Sequence, residues 1–188
     1  MAATKRHPTS DGSRYKWAAA LAKALVTDPR VAPALTLDKV VAAKLMAHAY
    51  DKPEVVTALL QNVPGLNAEP AFWRAITRNH PQTVRTCVAN DPTLNPGALQ
   101  QKALRLAVFV GDRVEVVKAL LEDSRVDPAQ AFLYGKSILR VAAEDGCDDT
   151  VVRVLLADGR ARLARHELYD SDLDPSRLAE LLRGTDAE

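Results

Sequence analysis

Lys102-Ala103-Leu104-Arg105-Leu106-Ala107, then Gly111, then Glu115-Val116-Val117-Lys118-Ala119-Leu120-Leu121 is the stretch that decides the fold. It reads as a helix of small residues, a polar break, and a second helix with a Val/Leu stripe. In the second helix, apolar residues recur at i, i+1, i+4 and i+5, which places them on one face of a 3.6-residue spiral. Alanine in the first helix lets two helix axes come close.

The same pattern recurs outward in both directions. Aligned on the second residue of each Val-Val pair, copies stand at Val56, Val84, Val117 and Val152, spaced by 28, 33 and 35 residues. A worn copy lies at Ala22, where Ala22-Lys23-Ala24-Leu25-Val26-Thr27-Asp28-Pro29-Arg30-Val31-Ala32-Pro33 parallels Val117-Lys118-Ala119-Leu120-Leu121-Glu122-Asp123-Ser124-Arg125-Val126-Asp127-Pro128. Pro53 and Pro81 stand where a second helix begins, a position at which the missing N–H costs nothing. Asp91-Pro92 and Asp127-Pro128 stop the preceding helices and turn the chain. A period of this length signals stacked helix pairs, each unit burying its neighbour's apolar stripe. The expected fold class is all-α, a short α-solenoid of stacked antiparallel helix pairs with capping helices at both ends.

These residues resemble the ankyrin repeat, in the divergent form of protist and large DNA virus proteins. Asn79-His80-Pro81-Gln82 stands where that family usually has Gly-His-x-Glu, and Lys52-Pro53-Glu54-Val55-Val56 fits the same place one unit earlier. The resemblance spans about residues 17–164. The family's Thr-Pro-Leu-His opening is replaced by Lys102-Ala103-Leu104-Arg105 and Ser137-Ile138-Leu139-Arg140. Its Gly-Ala-Asp turn is replaced by Asp-Ser-Arg-Val-Asp-Pro, so simple loops are expected in place of β-hairpin fingers. The units fall at about 13–36, 37–68, 69–99, 100–135 and 136–166, with a C-terminal cap at 167–184. A basic tail, 1–12, and a short tail, 185–188, are expected to be disordered. Ser10-Asp11-Gly12-Ser13 supplies N-cap chemistry for a first helix running through Trp17 to Val26. In the cap, Asp174 is the expected N-cap, Pro175 the first residue, Leu178, Leu181 and Leu182 the stripe, and Gly184 the stop.

Composition excludes several function classes. The 188 residues carry a formal net charge of +1, with 47% hydrophobic and 5% aromatic residues. No global field draws in nucleic acid or a membrane surface. The ends differ: up to Arg30 six basic residues face two acids, and from Glu144 onward twelve acids face six arginines. No apolar run approaches the ~20 residues that span a bilayer. The start has no hydrophobic stretch behind its charges, so no signal peptide is expected. Cys87 and Cys147 make no disulfide framework. An intracellular, cytoplasmic location is the expectation, with the nucleus as an alternative.

Catalysis needs converging groups, and none converge here. His7, His48, His80 and His166 lie in different units or tails, and no metal-ligand or phosphate-loop motif occurs. No cofactor or metal is expected. Cys87 replaces a stripe leucine and reads as a core thiol. Cys147 reads as a loop residue. Asp145, Asp148 and Asp149 have the wrong spacing for a calcium loop and suit a helix start. His48 reads as a core or groove residue. The resemblance implies that His80 joins neighbouring loops. Trp73 reads as packing between units.

The resemblance also implies a binding groove along the first helices. It places Arg74, Thr77 and Arg78 there, then Phe109 and Val110, then Glu144 and Asp145, graded from basic through apolar to acidic. The loop Gln130-Ala131-Phe132-Leu133-Tyr134-Gly135-Lys136 adds Phe132 and Tyr134, residue types typical of binding hot spots. The expected function is a non-enzymatic protein-interaction module or adaptor, monomeric rather than homo-oligomeric. Two alternatives remain open: a self-associating structural subunit, and an enzyme or nucleic-acid binder.

Overall fold

The computed structural model describes Ala20 and residues 22–161, save 111, 112, 134, 145 and 146, together with 174, 176, 179 and 180. Residues 22–27 are helical. The helices that follow are α1 (Ala32–Leu37), α2 (Lys39–His48), α3 (Pro53–Asn62), α4 (Glu69–Thr77), α5 (Pro81–Asn90), α6 (Ala98–Phe109) and α7 (Val114–Leu121). A 3-10 turn (Pro128–Gln130) then leads to β1 (Phe132–Leu133), β2 (Lys136–Ser137), α8 (Ile138–Glu144) and α9 (Asp149–Ala157). The described chain is mostly helical, as its periodicity predicts.

The stripes become the core. Val55, Val56, Ala58 and Leu59 of α3 are buried, as are Val116, Val117, Ala119 and Leu120 of α7 and Val151, Val152, Leu155 and Leu156 of α9. Cys87 takes the stripe position of α5 and is fully buried. Burial, aided by the nearby Asp91 charge, pushes its thiol up to about 12. Ala71, Phe72, Ala75 and Ile76 of α4 face inward, as do Ala103, Leu104, Ala107 and Val108 of α6. The packing has a regular order: α3 packs on α5, α5 on α7 and α7 on α9, while α2 packs on α4, α4 on α6 and α6 on α8.

Local chemistry sets the boundaries. Pro53 and Pro81 open α3 and α5. Asn79 adopts φ 60°, the left-handed conformation that glycine favours and asparagine tolerates, and so redirects the chain from α4 into α5. Asp148 caps α9, its side chain accepting from the Thr150 N–H at 2.7 Å. Acids at the start of α9 therefore serve the helix dipole and its free N–H groups. Asp174 accepts from the Ser176 N–H at 2.6 Å, in keeping with an N-cap. Pro175, Leu178, Leu181, Leu182 and Gly184 of the expected C-terminal cap, the N-terminal segment with Trp17, and His7 and His166 lie outside the described residues.

One expectation needs correction and a second narrows. Phe132 pairs with Ser137 and Leu133 with Lys136 in a short antiparallel hairpin, where a simple loop was expected. Gly135 at φ 77° supplies the tight reversal, and the Ile138 N–H bonds the Ala131 carbonyl oxygen at 2.7 Å beyond the ladder. His48, expected in the core or the groove, is exposed, with Nδ1 2.7 Å from the Lys44 carbonyl oxygen, which removes the core alternative. Leu99, Gln100 and Gln101 are left-handed, so regular right-handed helix in α6 begins only at Lys102. This irregular entry is pinned from outside: Gln101 Nε2 donates to the Arg125 carbonyl oxygen at 3.3 Å and Arg105 donates to that of Leu99 at 3.2 Å.

Candidate functional site: the exposed face of α4 and α6

Helices α4 and α6 bury their alanines and present longer side chains to solvent. On α4, Arg74, Thr77 and Arg78 are exposed, as expected. The Arg74 guanidinium lies 3.4 Å from the Ala47 carbonyl oxygen. Thr77 donates its hydroxyl back to its own helix, at 3.0 Å from the carbonyl oxygens of Trp73 and Arg74. That bond occupies its proton and leaves the methyl group and lone pairs to solvent.

On α6, Phe109 is 61% exposed and Val110 is 45% exposed. Phe132, on β1, is 47% exposed. Two large aromatic side chains left this far in water are unusual in a chain with so few aromatics. Arg105 fixes the hairpin to this face, donating to the Phe132 carbonyl oxygen at 3.2 Å. Its Nε is buried and makes no hydrogen bond. Lys102, Arg105, Leu106, Phe109 and Leu133 together line a cleft of about 240 Å³. Of these five only Phe109 stands out in the sequence. The others read as ordinary helix and loop residues until the hairpin closes over them.

Trp73 joins the two helices, as its expected packing role requires. Its ring meets Phe72 edge-on at 5.3 Å, its indole N–H donates to Glu69 at 3.0 Å, and Lys102 Nζ lies 5.1 Å from its centroid. A cation over an aromatic face is attracted to the ring quadrupole. His80 meets Tyr50 of the preceding loop edge-on at 5.3 Å, so it contacts that loop by packing.

Glu144 stands differently from the acidic groove residue the sequence suggests. It is the acceptor for both Lys136 and Arg140, and its side chain is 14% exposed. The Lys136 hydrogen bond holds its carboxyl below the usual glutamate range; burial opposes this and Arg140 reinforces it. Its charge is thus met inside its own unit. Tyr134 and Asp145, the remaining expected site residues, lie outside the described residues.

Among the described residues no ion pair engages Arg74, Arg78, Lys102 or Arg105, while eight others are formed elsewhere. The face therefore carries uncompensated positive charge beside exposed apolar surface. His, Cys, Asp and Glu side chains nowhere gather in a group of three that could hold a metal among the described residues. No described helix is long and apolar enough to cross a membrane. No family model, curated protein or solved structure matches the chain.

Proposed function

We propose that this chain is an ankyrin-like solenoid of stacked antiparallel helix pairs that binds a protein partner through the exposed face of its first helices and the adjoining hairpin. The ordered packing of every second helix on the next supports the stacked arrangement. One observation carries the binding role: Phe109 and Phe132 stand exposed near Lys102 and Arg105, cations without a carboxylate partner among the described residues. Exposed aromatic and cationic groups on a rigid helical support are the usual makings of a protein-binding hot spot. Among the described residues no group on this face is paired for proton transfer or nucleophilic attack, which favours binding over catalysis.

Affinity capture from a lysate tests the proposal, comparing the parent chain with an Arg74→Ala, Arg78→Ala, Phe109→Ala variant of matched melting temperature. A partner held by the parent and released by the variant is the expected result. A partner held equally by both would place binding elsewhere on the molecule.

The charge asymmetry of the two ends favours a second reading, a subunit that associates head to tail. Sedimentation across protein concentration and salt separates the two. A monomer throughout is the expected outcome; salt-sensitive oligomers would favour the second reading.

A further inference from the structure

The face of α4 and α6 has a specific chemistry, and from it we infer the class of partner, resting on the binding role proposed above. We propose that the cleft between α6 and the hairpin takes a short acidic peptide segment carrying one leucine or aromatic anchor. The floor is apolar: Leu106, Phe109 and Leu133 line it. The rim is cationic: Lys102 and Arg105 line the same cleft.

These cations have no ion-pair partner among the described residues. Glu69, on the same stretch of α4, already accepts from the Trp73 indole, and Glu144 is taken by Lys136 and Arg140. Arg105 spends its two terminal nitrogens on carbonyl oxygens and leaves a buried Nε unpaired. A carboxylate arriving with a ligand would meet the exposed Lys102 ammonium, since a charge-assisted hydrogen bond is about twice as strong as a neutral one. An apolar anchor would cover Phe109, which water now wets. Neither component alone suits the site: a polyanion leaves the apolar floor uncovered, and a neutral apolar peptide leaves the cations unpaired.

A fluorescence anisotropy titration of the full chain tests this. The probe is a fluorescein-labelled peptide with glutamates flanking a central Leu-Phe pair. Its controls are the same peptide with lysines in place of glutamates, and a labelled oligothymidylate. Saturable binding of the acidic probe, at least about tenfold tighter than its lysine counterpart, is expected. Lys102→Glu and Phe109→Ser should each weaken it about tenfold, both variants melting with the parent, while Arg153→Glu on α9 leaves it unchanged. Three results would overturn the inference: no saturable binding, weakening by Lys102→Glu but not by Phe109→Ser, or equal binding of the oligothymidylate. If the probe fails yet a lysate partner is still lost with the Arg74/Arg78/Phe109 variant, the binding role stands and only the acidic-peptide inference falls.

Discussion

The Arg160 guanidinium donates to the Val126 carbonyl oxygen at 2.6 Å, joining residues 34 apart. It also reaches the Leu121 carbonyl oxygen at 2.8 Å. Asp158 holds the guanidinium from two residues upstream, at 3.0 and 2.7 Å. Asp123 grips Arg125 in the same way, and Arg125 donates to the Leu94 carbonyl oxygen at 2.8 Å. Each Asp-x-Arg turn thus fastens one helix pair to the loop of the pair before. The Asp28–Arg30 turn repeats the local grip, but its arginine side chain is 89% exposed, against 34% for Arg160.

That contrast makes a paired prediction. Arg160→Lys removes a planar fork that a lysine ammonium cannot imitate, and should cost about 1–3 kcal/mol. Arg30→Lys should leave stability essentially unchanged, since an exposed pair contributes little. Urea unfolding midpoints of the two variants check both, and equal losses would refute the fastening role.

Acid should loosen these turns. The Arg125 hydrogen bond holds the Asp123 carboxyl below its ordinary value; burial of Asp158 works against it, and the Arg160 hydrogen bonds outweigh that burial. A carboxyl depressed in the folded state stabilises it above the unfolded value, near 4, and loses that contribution as pH falls through the folded value. Stability should therefore drop below about pH 4, and an Asp123→Asn, Asp158→Asn variant should show a flatter acid limb. Thermal melts from pH 2 to 7 measure this.

Leu120 is fully buried in the α7 stripe, between the neighbouring second helices α5 and α9. Leu120→Asp places an unpaired charge there and should cost about 4 kcal/mol or more. Because α7 packs on both α5 and α9, amide exchange should accelerate in those two helices as well as in α7. A variant melting with the parent would mean the stripe is misassigned.

Asn79 holds a left-handed turn at φ 60°. Asn79→Gly should change stability by less than about 0.5 kcal/mol, whereas Asn79→Val should lose about 1–2 kcal/mol, because a β-branched side chain clashes in that region. Differential scanning calorimetry of the pair distinguishes backbone strain from any lost side-chain contact.

Much of this was legible from residue order. The Val-Val stripes, the prolines opening α3 and α5, and the Asp148 cap are local statements, written in spacing and side-chain type. The trio Arg74, Thr77 and Arg78 comes from the family resemblance, and its exposure goes with the burial of Phe72 and Ile76 on the same helix. The match between residues 22–33 and 117–128 even displayed the Asp-x-Arg turn twice, without revealing what the arginine holds.

What the sequence determined by itself is therefore the helices and their buried faces, because a 3.6-residue period records which side chains leave water. Only the tertiary structure decided which carbonyl Arg160 reaches, that Glu144 is satisfied by Lys136 and Arg140, that Phe132 and Leu133 pair with Ser137 and Lys136, and that Leu133 lines a cleft with Phe109. Each of these depends on the register in which one unit sits on the next. That register is fixed by the summed packing of many side chains, so no single stretch of sequence carries it.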